Sequence, residues 1–420
     1  VAALTCTPHA GDLRPPAHAG IVGAALLAPA FSPTDARTAM AQTYFATTQP
    51  GLEEALLSEL RDLKIKRPRM VTGGVEFDAT YTTLYQANLA LRSATRIWLR
   101  LDEFRARDTS ELFRKCRRFD WERLIPPELA LNLRASSRQS RMVHTGTITE
   151  VVEEAISQRF VEELGQPAPL FSSGDDAQRI LIRIDGDRCQ LSLDSSGSRL
   201  QRRGWRTEAG PAPLRENIAA GLLLQIGWQP HQPLLDPMCG SGTIPIEAAL
   251  MRQRIAPNLA RRFAFERWAN FEAARLDKVR TALHRPAPTS PPDPSPIEGS
   301  DRDPDVLQAA RANARRAGVD AQLHLTLATL QDRPAPESTE PGWILTNPPY
   351  GERLATGDAL SSLFHLWQSR LPTWSLAFIW PRERADQVRK LAGNRLQSVA
   401  TVFNGGISVD LWIGTPPAAK

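Results

Sequence analysis

The chain has 420 residues, 42% hydrophobic and 23% charged, with a net charge of +5, which suits a globular protein with two or three cores and no repeat array. Four cysteines (Cys6, Cys116, Cys189, Cys239) with no CxxC pair and seven scattered histidines exclude a disulfide scaffold and give a metal no ligand set. No apolar run approaches the length of a membrane span, and a reducing, cytoplasmic setting is expected.

Residues 1–41 contain one misleading segment, Ala19–Phe31, which is apolar, follows Arg14 and has the outline of a secretory signal. Met40 then opens a periodic stretch, so the expectation is a disordered extension or an overlong gene start. From Thr43 the residues alternate, turn at Gln49-Pro50-Gly51, and continue as a helix with Leu52, Ala55, Leu56, Leu60 and Leu63 on one face. Met70–Phe77 is strand-like with a Gly-Gly break. Together these predict a small βαβ-type unit over residues 42–83. A helix is expected over Leu84–Arg100, strands at Leu131–Arg134, Ile180–Ile184 and Cys189–Leu193, and a helix over Glu150–Leu164. Residues 84–195 are thus a mixed α+β region.

Charge is unevenly spread. Between Arg92 and Arg141 there are 13 Lys/Arg against 7 Asp/Glu, an excess of 6. Such a patch suits phosphates held through counterion release, or simply a solvated arginine-rich face. Asp194–Arg206 (DSSGSRLQRRGWR) is a glycine-punctuated connector with Arg199, Arg202, Arg203 and Arg206. With a helix over Leu214–Ile226 it makes up a linking region, residues 196–229.

Residues 230–417 change character. Strands are expected at Pro233–Leu235, Pro296–Gly299, Gln322–Leu327, Trp343–Leu345 and Leu376–Trp380, with helices from Thr243, from Pro304 and near Leu360–Leu371. This alternation predicts an α/β, doubly wound, Rossmann-like domain with a parallel sheet. The Pro-rich stretch Arg285–Pro296 is a surface insertion.

Three motifs carry chemistry. Asp236-Pro237-Met238-Cys239-Gly240-Ser241-Gly242-Thr243 joins a buried strand to a helix. Its glycines let the backbone approach a ligand, and it lacks the signature of a P-loop or of a dinucleotide turn, which favours a nucleoside-type ligand. Asp236 can accept from an ammonium group. Asp301 ends the next strand and can take both hydroxyls of a ribose, whereas Asp303 is suited to cap the helix from Pro304. Asn347-Pro348-Pro349-Tyr350 follows a later strand. An aromatic amine is a poor nucleophile because its lone pair is delocalised. The Asn347 side-chain oxygen and the Pro348 carbonyl would localise that pair by accepting its N–H groups, and Pro brings no competing N–H. Tyr350 would stack on the base. A sulfonium methyl donor then needs little beyond proximity and alignment.

DPMCGSGT followed by TNPPYGERL, with the connector above, the opening TQPGLEEALLSEL, GGVEF and the late FNGG, resembles the class I amino-methyltransferases with an N-terminal THUMP domain. The likeness covers about residues 42 to 415 and is nearest to bacterial large-subunit rRNA guanine-N2 methyltransferases of the form lacking a second fused methyltransferase. It implies a ferredoxin-like segment at 42–83, a THUMP RNA-binding domain at 84–195 and a class I methyltransferase domain at 230–417. It implies S-adenosylmethionine held by Asp236, Pro237, Cys239, Gly240, Gly242, Thr243 and Asp301. The target would be guanine in structured RNA, gripped by Arg114, Lys115, Arg117, Arg118, Arg138, Arg141, Arg202 and Arg203. One departure concerns the adenine amino group: where the family often has an acid, this chain reads Leu327-Ala328-Thr329-Leu330, leaving backbone and apolar contacts, or Asp332. A tRNA guanine-N2 enzyme, a DNA adenine-N6 enzyme and an RNA-binding assembly protein are the competing readings.

Overall fold

The alternation after Met40 becomes β1 (Gln42–Thr47), in which Tyr44 and Ala46 are fully buried. The structure is a computed structural model that describes residues 41–166, 169–174, 176–207, 214–284, 295–336, 338, 340–350 and 356–416. The extension expected at 1–41 therefore lies outside the described residues except for its last position, as do most of the Pro-rich stretch and the GERL that follows Tyr350.

Helix α1 (Glu53–Asp62) carries Glu53 and Glu54 in its first turn, where the helix dipole favours negative charge. The Gly-Gly break is the turn of a hairpin, β2 (Arg69–Val71) and β3 (Gly74–Ala79). It is β3 that pairs with β1, and it does so antiparallel, so the expected βαβ unit is split by an inserted strand. Helix α2 (Tyr81–Ala90) starts at an N-cap on Thr80, and β4 (Arg96–Arg105) then returns beside β1. A βαββαβ succession with strand order β2-β3-β1-β4 is ferredoxin-like. Two expectations are corrected here. The helix over Leu84–Arg100 stops at Ala90, because Ile97 and Leu99 are buried between half-buried neighbours and the period there is two, not 3.6. The ferredoxin-like unit closes only with β4, so a boundary at residue 83 falls inside it.

On its other edge β4 pairs with β7 (Arg188–Asp194), followed by β6 (Gln178–Asp185) and β5 (Leu131–Arg138), and the result is one seven-stranded sheet, β2-β3-β1-β4-β7-β6-β5. Helix α3 (Thr109–Arg117), N-capped by Asp108, lies against α4 (Thr145–Leu164), which connects the parallel strands β5 and β6.

After α5 (Glu216–Gln225) the second sheet is built from β8 (Leu234–Asp236), α6 (Thr243–Arg252), α7 (Ala273–Leu283), β9 (Ile297–Asp301), α8 (Pro304–Ala317), β10 (Leu323–Leu327), β11 (Trp343–Thr346), α9 (Thr356–His365), β12 (Ser375–Pro381), α10 (Ala385–Ala392), β13 (Gln397–Asn404) and β14 (Ile407–Gly414). Its order is β10-β9-β8-β11-β12-β14-β13, parallel from β10 to β12, with β14 antiparallel to both neighbours. This is the expected doubly wound fold. The order reverses between β8 and β11, which leaves a crevice beyond their carboxyl ends. One segment of the second half joins the first core: Phe265 stacks on Tyr85 with ring centroids 4.5 Å apart, and Leu276 and Val279 of α7 belong to the same cluster. Among the described residues no helix is long and apolar enough to cross a membrane.

Candidate active site at the switch point of the second sheet

The carboxyl ends of β8, β9 and β11 bring the three motifs together. Asp236 ends β8, is 2% exposed, and accepts from the Met238 N–H at 3.2 Å and the Thr346 hydroxyl at 2.7 Å. The second bond crosses the switch point and ties the cofactor-type turn to the strand that carries Asn347. Burial lifts the Asp236 carboxyl to about 7; the Thr346 and Met238 bonds pull it down and the nearby Asp301 charge adds to the rise. Among the described residues no cation is paired with it.

The two glycines of the turn do different work. Gly240 has φ +54°, and a Cβ there would meet nothing nearer than Val306 at 3.9 Å, so the backbone faces open space that a ligand can enter. Gly242 has φ +85°, and a Cβ would lie 3.1 Å from Ala310 of α8, so this position is needed for α6 and α8 to pack. Asp301 accepts from the Gly240 N–H at 2.9 Å and the Asp303 N–H at 3.0 Å, which binds the ends of β9 and β8 into one rim. Asp303 caps α8 through the Asp305 and Val306 N–H groups, as expected.

Other members of the turn serve the protein. Pro237 is buried, and the Cys239 thiol packs toward β9, 3.2 Å from where a Gly299 Cβ would stand. The Thr243 hydroxyl accepts from Arg206 of the connector at 2.8 Å. Asp332 is engaged with the Thr329 hydroxyl at 2.8 Å, whereas Leu327, at the end of β10, is 54% exposed. Leu327 thus offers an exposed apolar side chain at the end of β10.

At the end of β11, Asn347 is half-buried and its Oδ1 is buried with no hydrogen-bond partner among the described residues. A buried acceptor left unpaired costs about 1–3 kcal/mol, so it marks a place where a donor is missing. Pro348 is buried and Pro349 half-buried. The ring of Tyr350 is half-buried, edge-on to Trp380 at 6.3 Å, and its hydroxyl accepts from Asn404 Nδ2 at 2.7 Å. Asn404 was not foreseen as a site residue. It precedes the two glycines of FNGG, at φ +59° and +87°, and these make the tight turn of the β13–β14 hairpin. The turn signal was present in the sequence, but nothing in it showed that the turn reaches Tyr350.

The expected RNA-binding cations divide. Arg114, Lys115, Arg117 and Arg118 lie exposed on and just after α3, Arg138 and Arg141 are exposed at the end of β5 and just after it, and Arg202 is exposed on the connector. Arg117 is paired with Glu162 at 3.2 Å. Arg203 is a correction: its side chain is 0% exposed and Nε lies 3.2 Å from Glu247 Oε1, so it holds the fold together and cannot reach a ligand. Part of the Arg92–Arg141 excess is likewise internal, since Arg92 is buried and Arg100 is paired with Glu76 and lies over the Phe45 ring.

Comparison with known proteins bears on the family and the fold. A family model described as the RMKL-like methyltransferase domain matches residues 203–408, and one for the RlmL ferredoxin-like domain matches residues 43–98. The chain is 35% identical over 385 residues to the ribosomal RNA large subunit methyltransferase K/L of Methylococcus capsulatus, covering 89% of this chain and 51% of that protein. It spans about half the length of the curated relatives it matches. Among solved structures, a putative methyltransferase crystallised with SAH is 31% identical with a TM-score of 0.79, over 91% of this chain and 100% of that one. A protein from Listeria monocytogenes described as a predicted N6-adenine-specific DNA methylase is 30% identical with a TM-score of 0.79, over 90% and 97%.

Proposed function

The chain belongs to the RMKL-like methyltransferase family, and from that premise we propose that it transfers a methyl group from S-adenosylmethionine to the N2 amine of a guanine in large-subunit ribosomal RNA. The observation that carries the amine chemistry is the buried Asn347 Oδ1 at the end of β11, which has no partner among the described residues. The names of the curated relatives support ribosomal RNA as the substrate.

The residues present fit the cofactor. Asp236 is a buried carboxylate at the strand end, suited to an ammonium group; Gly240 leaves room for close approach; Asp301 suits ribose hydroxyls; exposed Leu327 suits the adenine face. When bound, S-adenosylmethionine supplies a methyl group made electrophilic by its sulfonium. The chain's own part is to prepare the amine. Asn347 Oδ1 accepts one N–H and the Pro348 carbonyl the other, which returns lone-pair density to nitrogen. Tyr350, fixed at its rim by Trp380 and at its hydroxyl by Asn404, is the surface on which the base rests. Alignment then supplies most of the rate. The part of residues 84–195 that follows β4 would grip folded RNA in THUMP fashion through the exposed cations of α3 and the end of β5.

Incubation with labelled S-adenosylmethionine and total RNA, followed by mapping, tests the proposal. Label on guanine N2 of large-subunit RNA is the expected result. Label in tRNA would select the tRNA reading, label in added DNA the adenine reading, and label in none would overturn all three. Asn347→Ala should lower transfer by about 10²-fold or more while RNA binding stays within about twofold. Full activity in that variant would remove the amine-acceptor mechanism.

A further inference from the structure

The connector after β7 is held by an unusual number of guanidinium groups. Asp194 Oδ1 accepts from the Ser196 and Gly197 N–H groups at 2.9 and 3.2 Å, and its other oxygen pairs with Arg96 and, at 3.9 Å, with Arg179. Both of these arginines also donate to the Gly197 carbonyl. Arg261, from the other side, donates to the Ser198 carbonyl at 2.6 Å and the Arg199 carbonyl at 3.0 Å. Three cations thus clamp one short loop. The side chains that this loop displays, Arg199 and Arg202, are exposed and have no ion-pair or hydrogen-bond partner among the described residues.

Arg96 and Arg179 share the Asp194 carboxylate and Arg203 has Glu247, whereas the exposed Arg199 and Arg202 side chains add positive charge to the same loop. The charges acting most on Arg261 are Arg203, Arg96, Asp194 and Arg202, three cations against one anion, and burial together with these like charges lowers its pKa to about 10. Arg199 and Arg179 act in the same sense on Arg96. Holding a loop in place needs its carbonyls paired; it does not need two further free arginines on the same loop. We propose that this seam, Arg199 and Arg202 backed by Arg96, Arg179 and Arg261, is a phosphate-binding site for the RNA backbone, separate from the cations of α3. The position suits the role. The same connector runs on to Arg206, which holds Thr243 at the start of the cofactor-side helix, so the loop is joined within a few residues to the turn of the candidate site. The inference rests on the RNA reading above.

The test is a salt series of binding to deproteinised large-subunit ribosomal RNA by the wild type and by Arg199→Glu/Arg202→Glu. Each phosphate contact contributes about 0.7–0.9 to the slope of log K against log salt. The variant should have a slope shallower by about 1.4–1.8 and bind at least tenfold more weakly at low salt, with an unchanged melting temperature. Arg199→Gln/Arg202→Gln should show the same shallower slope without introducing negative charge, which separates the site from a folding defect. Variants that match a wild type that binds the RNA would overturn the seam alone. A wild type that neither binds nor methylates this RNA would overturn the RNA reading and the seam with it.

Discussion

Asp236 combines complete burial with the absence of a paired cation among the described residues. Its folded-state pKa, about 7, stands above the ordinary 3.8. Between those values the folded chain holds a proton that the unfolded chain has lost. Stability therefore falls as pH rises through this window and stays at its lower level above about pH 7. At 1.36 kcal/mol per pKa unit the cost at pH 8 is at most about 4 kcal/mol. Asp236→Asn keeps an acceptor for Thr346 and Met238 and removes the charge. It should raise the melting temperature at pH 8, by roughly 2–4 °C per kcal/mol recovered, and change it little at pH 4. The same variant should bind S-adenosylmethionine at least about tenfold more weakly, because the ammonium partner is lost. A melting-temperature difference equal at both pH values would show that buried charge is not what Asp236 contributes.

At the scale of elements, the β13–β14 hairpin acts on the site through one side chain. Asn404 stands next to the Gly405-Gly406 turn, 9% exposed, and holds the Tyr350 hydroxyl. Asn404→Ala frees that hydroxyl, and burial raises its pKa, so it stays neutral and must find another partner. The expected outcome is a several-fold rise in KM for RNA with a smaller change in kcat, and no added loss when Tyr350→Phe is combined with it. Additive losses in that double-mutant cycle would separate the two residues. This link shows what the sequence leaves unwritten. The DPMCGSGT turn, the acid after β9 and NPPY are legible because each needs particular residue types at one strand end. That Asn404 meets Tyr350 depends on β14 running antiparallel beside β12, a long-range pairing with no local signature. The same limit explains β4. Arg96–Arg100 alternates with period two, yet apolar residues on both sides of it imitate a helix, and only pairing with β1 and β7 decides the matter.

For the whole molecule, the buried charges between the two sheets matter most. Glu247 lies in the middle of α6 with its side chain 0% exposed, and it faces Arg203 at 3.2 Å and Arg92 at 3.7 Å. The Arg92 backbone N–H is held in turn by Glu59 of α1 at 2.8 Å, and its guanidinium donates to the Leu250 carbonyl at 3.2 Å. Glu247 is thus the anion through which the helix leading from the cofactor-side turn is joined to the ferredoxin-like unit. Two arginines cannot share the interior without a countercharge. Removing one member of a buried charge network costs about 3–5 kcal/mol, because the partners stay buried and unpaired. Glu247→Gln, nearly isosteric, should therefore destabilise the chain by about that amount in urea unfolding followed by tryptophan fluorescence. Replacing charge on both sides, Arg203→Met with Glu247→Gln, should recover part of the loss, since one of the stranded cations is gone. If Glu247→Gln costs under about 1 kcal/mol, this charge network is not what joins α6 to the ferredoxin-like unit, and bonds such as Asn258 to the Asn88 carbonyl and Asn217 to Thr95, with apolar packing, carry the contact.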